Sequence, residues 1–331
     1  MAPRVIDFAS SLAESEDVPR TAVPKDTPNW SESFGHWGYF PEQKLGLFVH
    51  NQRHVDNPSL WREIIVIQRG DGSVMVAKSY GTGQRGGSPG ANGLAVTCIK
   101  PFEEWVIEFD GAARIVSSES LWREQLRDGV HEAVKMSLRL SAFAPVWAMD
   151  KNANAESWGR AHYEQGVRIK GRIESRDGVV DIDGLGWRDH SYGTRDFADG
   201  FNAQWMHGQF ASGRCFLVMC TDPNSSGPGF ETAFVVDDGI IYKAKLRSFP
   251  PIECPVPGRT AAIELDYERG SARIECTYLR AIPVSLAGTN EQVIGRIGGA
   301  DGWSKVYFDT HLRYEWDGET GYGCANPTTV R

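Results

Sequence analysis

The sequence predicts an all-β protein with two antiparallel domains, each a barrel or a strongly curved sheet, and with few short helices. Alternating apolar and polar runs, as expected for strands, are separated by Asp-Gly dipeptides that favour tight type I′ turns. Aromatic residues make up 11% of the chain and suit both sheets and apolar cavities. The Asp-Gly dipeptide recurs at Asp71-Gly72, Asp110-Gly111, Asp177-Gly178, Asp238-Gly239 and Asp317-Gly318. Short strands joined by such turns are typical of antiparallel barrels and sandwiches.

Hairpins follow from this pattern along both halves of the chain. The paired runs are 64–68 with 74–78, 106–109 with 113–116, 234–236 with 240–244, and 263–267 with 272–278. The two halves share this layout, which indicates a duplication. We therefore expect an N-terminal tail (1–28), an N-terminal β-domain (29–160) and a C-terminal β-domain (161–331). Residues 149–157, which are polar and rich in Asn and Ala, are expected to connect the halves.

The segments between these hairpins predict one helix and two loops. Apolar residues between Ser118 and Ser141 roughly follow helical spacing, with Gly129 as a break near the middle. Residues 78–92 are rich in glycine, and residues 246–259 contain four prolines. Long irregular segments of this kind lie at the rims of barrels, where they can cover a ligand. We expect both to be rim loops, the glycine-rich one mobile.

Two motifs that suggest cofactors are better explained without them. Gly81, Gly83 and Gly86 form a G-x-G-x-x-G pattern, but a strand-like apolar run follows instead of the helix that a dinucleotide site needs. His50 and His54 are four residues apart, yet their surroundings predict strand and turn, and no acidic residue has a clear ligand spacing to them. The sequence therefore predicts no metal, no nucleotide and no other cofactor.

Composition excludes further classes of partner. The chain of 331 residues has a net charge of −8, whereas a nucleic-acid partner needs a basic surface. Its 6 cysteines are scattered and predict reduced thiols in a reducing compartment. The first twenty or so residues do not form a signal peptide, and no stretch of about 18 apolar residues is present. We expect a cytoplasmic protein without a membrane span, and nothing in the sequence indicates its oligomeric state.

The densest polar stretch covers residues 184–196, directly after a strand-like run at 179–182. In an extended chain alternate residues face opposite sides, with Trp187, Asp189 and Ser191 on one face and Arg188, His190 and Tyr192 on the other. One face must meet a core or a cavity, where ionisable groups are costly unless they are paired or functional. The stretch is therefore either a buried ion-pair cluster or a functional site.

These alternatives involve different residues. In the ion-pair interpretation, Arg188 or Arg195 holds Asp189 or Asp196. In the functional interpretation, the next predicted strand, 201–210, contributes a second polar and aromatic face. That face carries Trp205, His207 and Gln209.

The segment from Gly186 to Asp196 resembles the carotenoid 1,2-hydratase (hydroxyneurosporene synthase) superfamily, whose members carry a short aromatic-x-Asp-His-Asn-Trp-Gly motif. Residues 162–165 with 167–171, and residues 313–323, also resemble uncharacterised members. The resemblance implies two lipocalin-like domains, and the superfamily includes hydratases, pericyclic cyclases and proteins of unknown role. Ser191 and Tyr192 replace the Asn-Trp pair of the carotenoid enzymes, which argues against a carotenoid substrate.

The resemblance implies a hydratase or dehydratase acting on a C=C bond of a hydrophobic terpenoid, steroid or polyketide-like molecule. A carboxyl group in an apolar cavity keeps its proton, so Asp189 is the expected acid, and His190 or His207 the base. Aromatic faces, including that of Tyr192, would stabilise a carbocation. The expected catalytic side chains are Asp189, His190, Tyr192 and His207. The expected substrate-binding side chains are Trp187, Trp205, Gln209, Arg195, Gln165 and Trp37.

Two other functions are compatible with the same residues. A cofactor-independent isomerase or cyclase would use these polar groups to hold and fold its substrate. A non-catalytic carrier would bind a hydrophobic molecule in an apolar cavity without needing an acid. An Arg paired with Asp189 would favour the isomerase or cyclase, because a guanidinium would spoil the carboxyl group as an acid.

Overall fold

The computed structural model describes residues 4–5, 12–21, 23–24, 27–83, 89–127, 129–149, 161–194, 202–222, 229–287, 291–297 and 305–329. The chain divides into two compact units. The N-terminal unit contains residues 8–117 and 127–196, and the C-terminal unit contains residues 1–7, 118–126 and 197–331. Strands are numbered along the chain, starting with β1 (Arg4–Val5), a short strand of the C-terminal unit.

The N-terminal unit is a closed antiparallel barrel. Its strands are β2 (Trp30–Phe40), β3 (Leu45–Arg53), β4 (Trp61–Gln68), β5 (Ser73–Gly81), β6 (Leu94–Lys100), β7 (Glu104–Ser117), β8 (Val130–Ala142), β9 (Trp147–Ala148), β10 (Ala161–Ser175) and β11 (Gly178–Thr194). Eight of these strands form the barrel, in the order β2-β3-β4-β5-β7-β8-β10-β11, and β11 pairs with β2 to close it. Strand β6 adds to β7, and β9 adds to β10.

The C-terminal unit repeats this design. Its helix is α1 (Ser118–Arg123), and its further strands are β12 (Ala203–Phe210), β13 (Cys215–Thr221), β14 (Phe230–Asp237), β15 (Ile240–Ser248), β16 (Thr260–Tyr267), β17 (Gly270–Ala287), β18 (Glu291–Ile294), β19 (Val306–Trp316), β20 (Glu319–Ala325) and β21 (Thr328–Thr329). Pairing runs from β12 to β17, then through β19 and β20 back to β12. Strand β1 pairs in parallel with β14. The predicted all-β fold with two barrel domains is confirmed.

Alternation along the strands separates an inner from an outer face in each unit. In the N-terminal barrel the inner face carries the apolar core, for example Phe34, Leu47, Ile169 and Ile182. The outer face of β2 and β3 is buried as well, because every residue from Trp30 to Gln52 that lies in these two strands is buried. Polar groups on both faces are therefore withdrawn from bulk water.

Several turns have the backbone geometry expected from the sequence. Asp238 and Gly239 both have positive φ (50° and 74°), as do Asp317 and Gly318 (51° and 78°). The turn at Gly178 joins β10 to β11, with Ser175 opposite Gly178. Asp110-Gly111, in contrast, lies inside β7, so the hairpin predicted for 106–109 and 113–116 is wrong. Gly111 is not among the glycines with positive φ that a type I′ turn requires.

The predicted helix is also mostly wrong. Only Ser118–Arg123 is helical, and the sequence from Val130 onward forms β8. In β8 the side chains of Val134, Met136, Leu138 and Leu140 are buried at every second position, which is the period of a strand. The four-residue spacing of Leu126, Val130, Val134 and Leu138, which suggested a helix, is also compatible with this two-residue period.

The boundary between the two units agrees with the predicted domain boundary only in part. Strands β10 and β11, assigned from sequence to the C-terminal domain, pair with β8 and β2 of the N-terminal barrel. The contact division therefore falls after residue 196 rather than after residue 160, because these two strands close the first barrel. Residues 150–157, nearly all of the expected connection 149–157, and residues 84–88, in the expected glycine-rich rim loop, lie outside the described residues.

Further expectations from the sequence concern the segment after the glycine-rich loop, the cysteines and the length of the helices. Residues 94–100, after the glycine-rich segment, form strand β6 and not a helix, as expected. All six cysteines are described as free thiols. Within the described residues, helices are too short and too polar to cross a bilayer.

Candidate active site

The polar stretch lies in β11, between β10 and β2. Asp189 is directly opposite Glu164 on β10 and opposite Gly35 on β2. Because Ile182 of the same strand faces the core, the even-numbered residues Arg188, His190 and Tyr192 face inward. Trp187, Asp189 and Ser191 belong to the outer face. The two faces have to be considered separately, because their side chains have different partners.

On the inner face, Arg188 forms a fully buried ion pair with Asp17 of the segment before β2. Its Nη1 lies 2.7 Å from Asp17 Oδ1, and its Nη2 lies 3.1 Å from Asp17 Oδ2. Gln165 Oε1 accepts from Arg188 Nε at 2.9 Å, and Trp105 Nε1 donates to Asp17 at 2.9 Å. Burial alone would lower the pKa of Arg188, but Tyr163 and Asp17 raise it above its usual value. The guanidinium is therefore charged, and each of its three nitrogen atoms donates hydrogen bonds.

His190 and Tyr192 extend this inner network. The two ring nitrogens of His190 lie 3.0 Å from Glu32 Oε1 and 2.9 Å from the Glu16 carbonyl oxygen. The Tyr192 hydroxyl donates to Glu16 Oε2 at 2.7 Å. Burial raises the pKa of Glu32, but the hydrogen bond and charge of His190, together with hydrogen bonds from Arg53 and the Arg20 backbone, outweigh it, and the net shift is downward. These contacts fix the Glu14–Glu16 turn and Asp17 to the barrel.

On the outer face, His162 lies between the carboxylates of Glu164 and Asp189. His162 Nε2 is 2.7 Å from Glu164 Oε1, and His162 Nδ1 is 3.9 Å from Asp189 Oδ2. Trp187 Nε1 donates to the second Glu164 oxygen at 2.5 Å. The Glu164 side chain is 0% exposed and that of His162 is 7% exposed, whereas that of Asp189 is 16% exposed. Asp189 is thus the member of this triad that is most open to another molecule.

The residue opposite Asp189 on β2 is Gly35, which has no side chain that would displace the Asp189 carboxyl group. A Cβ atom at Gly35 would lie 2.5 Å from Asp189 Oδ1 and 2.2 Å from the Trp37 ring. The Trp37 ring and the Asp189 carboxyl group therefore converge over Gly35. Trp37 stacks against Phe48 with ring centroids 5.3 Å apart, so an aromatic surface adjoins the carboxyl group. A triad of His162, Glu164 and Asp189 next to aromatic rings can move a proton in a largely dry environment.

The same triad is also the group, among the described residues, that could hold a metal ion. Its ligand atoms lie within 4.8 Å of one another. One imidazole and two carboxylates are acceptable ligands for several divalent ions. The sequence analysis considered His50 and His54 and predicted no metal, which stays a prediction.

The residues chosen from the sequence are not all in one place. Asp189, Trp187 and Trp37 share the outer face of the N-terminal barrel. His190, Tyr192 and Gln165 lie on its inner face, so Asp189 does not share a face with His190 and Tyr192, the catalytic partners expected on the same strand. The suggested pairing of Asp189 with Arg188 is wrong for the same reason. Arg195 and Asp196 lie outside the described residues.

Trp205, His207 and Gln209 belong to β12 of the C-terminal unit. The rings of Trp205 and His207 meet edge to face, with centroids 4.7 Å apart. Burial, with a smaller contribution from His311, lowers the pKa of His207 well below its usual value. A histidine in this state is a weak proton acceptor, which argues against the expected role of His207 as a base. Gln209 is buried on the same strand.

Sequence reasoning missed His162 and Glu164 as site residues, although the segment containing them was noted. The predicted Asp177-Gly178 turn does not give their register, because counting outward from it would place Glu164 opposite Ser191. The observed turn is centred on Arg176 and Asp177, and this places Glu164 opposite Asp189 and His162 opposite Ser191. Alternation then turns His162, Glu164 and Asp189 to one face.

Comparison with solved structures supports the barrel architecture. An AttH-like protein (NE1406) from Nitrosomonas europaea matches with 13% identity, a TM-score of 0.55 and 100% coverage of both chains. CghA matches with 12% identity and a TM-score of 0.53, over 100% of this chain and 97% of CghA. CghA with Sch210972 matches with 11% identity and a TM-score of 0.52, over 95% of each chain. These are lipocalin-like barrel proteins, and at such identities they show the fold alone.

Sequence comparison is more limited. Curated proteins give no significant match, so the resemblance to carotenoid hydratases rests on the motif and stays a prediction. A protein-family profile described as Domain of unknown function (DUF7064) matches residues 14–331. Because this match covers nearly the whole sequence, the chain belongs to the DUF7064 family.

Proposed function

We propose that this protein is an acid–base catalyst that adds water to, or removes it from, a C=C bond of a hydrophobic small molecule. The observation that carries the proposal is the arrangement of Glu164, His162 and Asp189 on the outer face of β10 and β11. Glu164 is fully buried and holds one nitrogen of His162, while the other nitrogen faces the partly exposed Asp189. No cofactor is required for this chemistry.

In the proposed reaction Asp189 is the proton donor. Its carboxyl proton passes to one alkene carbon, the π electrons form the new C–H bond, and the other carbon becomes a cation. In this proposal the proton resides on Asp189, the more exposed of the two carboxyl groups, while the buried Glu164 stays bound to His162 and Trp187. Asp189 and Arg188 face opposite sides of the strand, so the Arg188 guanidinium does not oppose this role.

The remaining steps restore the starting state. A water oxygen forms the C–O bond, and its surplus proton passes to His162 Nδ1 and then to Asp189. Glu164 supports this transfer because it accepts a hydrogen bond from His162 Nε2–H, which leaves Nδ1 as the proton acceptor. The Trp37 ring, beside Asp189, would stabilise the cation through its π face. Dehydration is the same sequence in reverse.

Isomerisation or cyclisation of a hydrophobic molecule is the second candidate. CghA, which shares the fold, has also been solved with Sch210972, so a barrel pair of this type accommodates a bound compound. The same Asp189 and His162 would then move a proton within the substrate or hold it in a folded conformation. A carrier would need neither group.

Isotope labelling separates these functions. The protein is incubated with a panel of terpenoid, steroid and polyketide-like alkenes and alcohols, in ¹⁸O-labelled water and separately in heavy water, and the products are analysed by mass spectrometry. Hydration gives a product that gains one labelled water. Isomerisation through protonation gains deuterium alone, a cyclisation without proton exchange gains neither label, and a carrier returns its ligand unchanged. Only addition of labelled water to an alkene, or loss of one water from an alcohol, agrees with the hydratase proposal.

Asp189→Asn tests the proton donor directly. The amide keeps the shape but cannot supply the acidic proton, so kcat should fall by about 10² to 10⁴ while ligand binding changes little. Asp183→Asn is the matched control, since Asp183 is an exposed carboxylate on the outer face of the same strand. An Asp189→Asn protein with full activity would remove Asp189 from the mechanism.

A further inference from the structure

One end of the C-terminal barrel carries a row of polar side chains on its inner face. Gln204 of β12 is directly opposite Cys220 of β13, and Cys220 is directly opposite Glu231 of β14. Cys220 packs with the barrel core, and neighbouring inner residues of β12 and β14, such as Met206 and Ala233, do the same. Direct cross-strand partners share a face, so all three side chains of this row point into the barrel.

A cavity of about 410 Å³ opens beside this row. Its wall combines apolar residues, Phe230, Phe249 and Ile252, with two carboxylates, Asp222 and Glu231. Phe249 and Ile252 come from the proline-rich segment that the sequence analysis expected at a barrel rim. Sites for small molecules typically have volumes of about 300 to 1,000 Å³ and a mainly apolar lining with few polar groups. The cavity has both the size and the lining of such a site.

Gln204 supplies an independent observation that a polar ligand group belongs here. Its side chain is 1% exposed, yet neither its amide oxygen nor its amide nitrogen has a hydrogen-bond partner among the residues that the structure describes. Leaving a buried amide without a hydrogen-bond partner is unfavourable, so such groups are rare without a reason. Because Gln204 faces Cys220, which lines the cavity, a ligand reaching past Cys220 would satisfy it.

The charge around the row is negative. Burial raises the pKa of Glu231 despite the opposing charge of Lys245. Burial, together with Glu231 and Asp222, raises the pKa of Cys220 to about 12, so the thiol stays neutral and both carboxylates lie near it. The lining residues described for this cavity include neither lysine nor arginine. A cationic group would therefore be stabilised at this position.

We propose that this cavity is a second binding site, and that its ligand is an apolar small molecule ending in a protonated amine. The ammonium group would donate hydrogen bonds to the Glu231 carboxylate and the Gln204 amide oxygen, and the apolar part would lie against Phe230, Phe249 and Ile252. The site shares no residue with the triad of His162, Glu164 and Asp189. It therefore stands whether or not the proposed hydratase function is correct.

Calorimetric titration with three ligands of equal chain length tests the charge requirement. Decylamine, decanol and decanoate are each titrated into the full chain at neutral pH, below their micelle concentrations. We expect decylamine to bind at least about tenfold more tightly than decanol, and decanoate to bind least tightly. Equal binding of all three, preferred binding of decanoate, or no binding of decylamine would overturn the proposal.

Two variants locate the site. Glu231→Gln should weaken decylamine binding about tenfold or more and abolish the preference over decanol, whereas Glu264→Gln, at an exposed carboxylate of β16, should change neither. Gln204→Leu should weaken decylamine binding severalfold without lowering the melting temperature, because it removes a buried amide that has no partner. Asp189→Asn should bind decylamine like the parent protein. Unchanged decylamine binding in Glu231→Gln would refute the assignment.

Discussion

On the inner face of β11, Arg188 makes five hydrogen bonds to Asp17, Tyr163 and Gln165 and is sealed from solvent. On the outer face of the same strand, Asp189 is 3.9 Å from His162 and keeps 16% of its side chain exposed. Both faces are rich in ionisable groups. What differs is exposure: the inner ion pair of Arg188 and Asp17 is closed to solvent, whereas the outer carboxyl group of Asp189 is partly exposed and can meet a substrate. Polar density alone therefore does not identify a functional face.

The comparison also explains why the inner network exists. Asp17, Glu16 and Arg20 belong to the segment before β2, and each is bound to inner-face residues or their neighbours. A buried charge pair contributes little net stability, but breaking it is costly because the remaining charge loses its partner. The network therefore specifies where the segment attaches, and the outer face is left for chemistry.

Asp17→Asn should have the largest effect and should be confined to stability. It leaves the Arg188 guanidinium buried without its counter-charge, which typically costs about 3–5 kcal/mol in unfolding free energy. Urea unfolding measures this loss, and Asp183→Asn, which breaks an exposed ion pair, should cost less than about 1 kcal/mol. Turnover by the folded fraction should be unchanged. An Asp17→Asn protein of normal stability that lacks activity would reverse the roles assigned to the two faces.

Part of the difference between the two faces could be predicted from the sequence, and part could not. Alternation within β11 correctly separated Asp189 from Arg188, because a two-residue period depends on local geometry alone. The partner of Arg188 could not be found this way: Asp17 lies 171 positions earlier, and only closure of the barrel brings it into reach. The face shared by His162, Glu164 and Asp189 was accessible from alternation, but their register was not, because the hairpin turn is centred on Arg176 and Asp177.

Predictions from short sequence patterns were wrong where strand pairing within the sheet determined the structure. Asp110-Gly111 has the composition of a hairpin turn, yet Gly111 remains inside β7 and pairs opposite Val134 of β8. Most of the helix predicted between Ser118 and Ser141 is instead strand β8, whose apolar residues complete the barrel core. Long-range pairing decided both outcomes, and no short window of sequence contains it.

Gly35→Ala probes the outer face with a smaller change. The new methyl group would lie 2.5 Å from Asp189 Oδ1, so the carboxyl group and the Trp37 ring must both move. Overpacking of this kind costs about 1–3 kcal/mol in stability, and the displaced acid should lower kcat by about tenfold or more. Gly38→Ala is the control: it lies on the same strand but crowds the inner Phe40 ring at 2.9 Å. It should lose similar stability and keep its kcat, and equal activity losses in both variants would contradict the distinction between the faces.

His36 offers the smallest test, through pH. It is directly opposite Arg188 on the inner face, where burial and then the Arg188 charge lower its pKa to about 3. The unfolded chain binds a proton on this residue near pH 6.5 while the folded protein does not, so stability falls as pH decreases below about 6.5. Between about pH 7 and about pH 5.5 this one group should remove roughly 1 kcal/mol of unfolding free energy. His36→Gln cannot be protonated and should lose that much less across the same interval in urea unfolding, whereas His54→Gln, in the turn after β3, should follow the parent curve. A His36→Gln protein whose pH dependence matches the parent would mean that His36 accepts its proton in the folded state, and that the inner face is less tightly sealed than its contacts indicate.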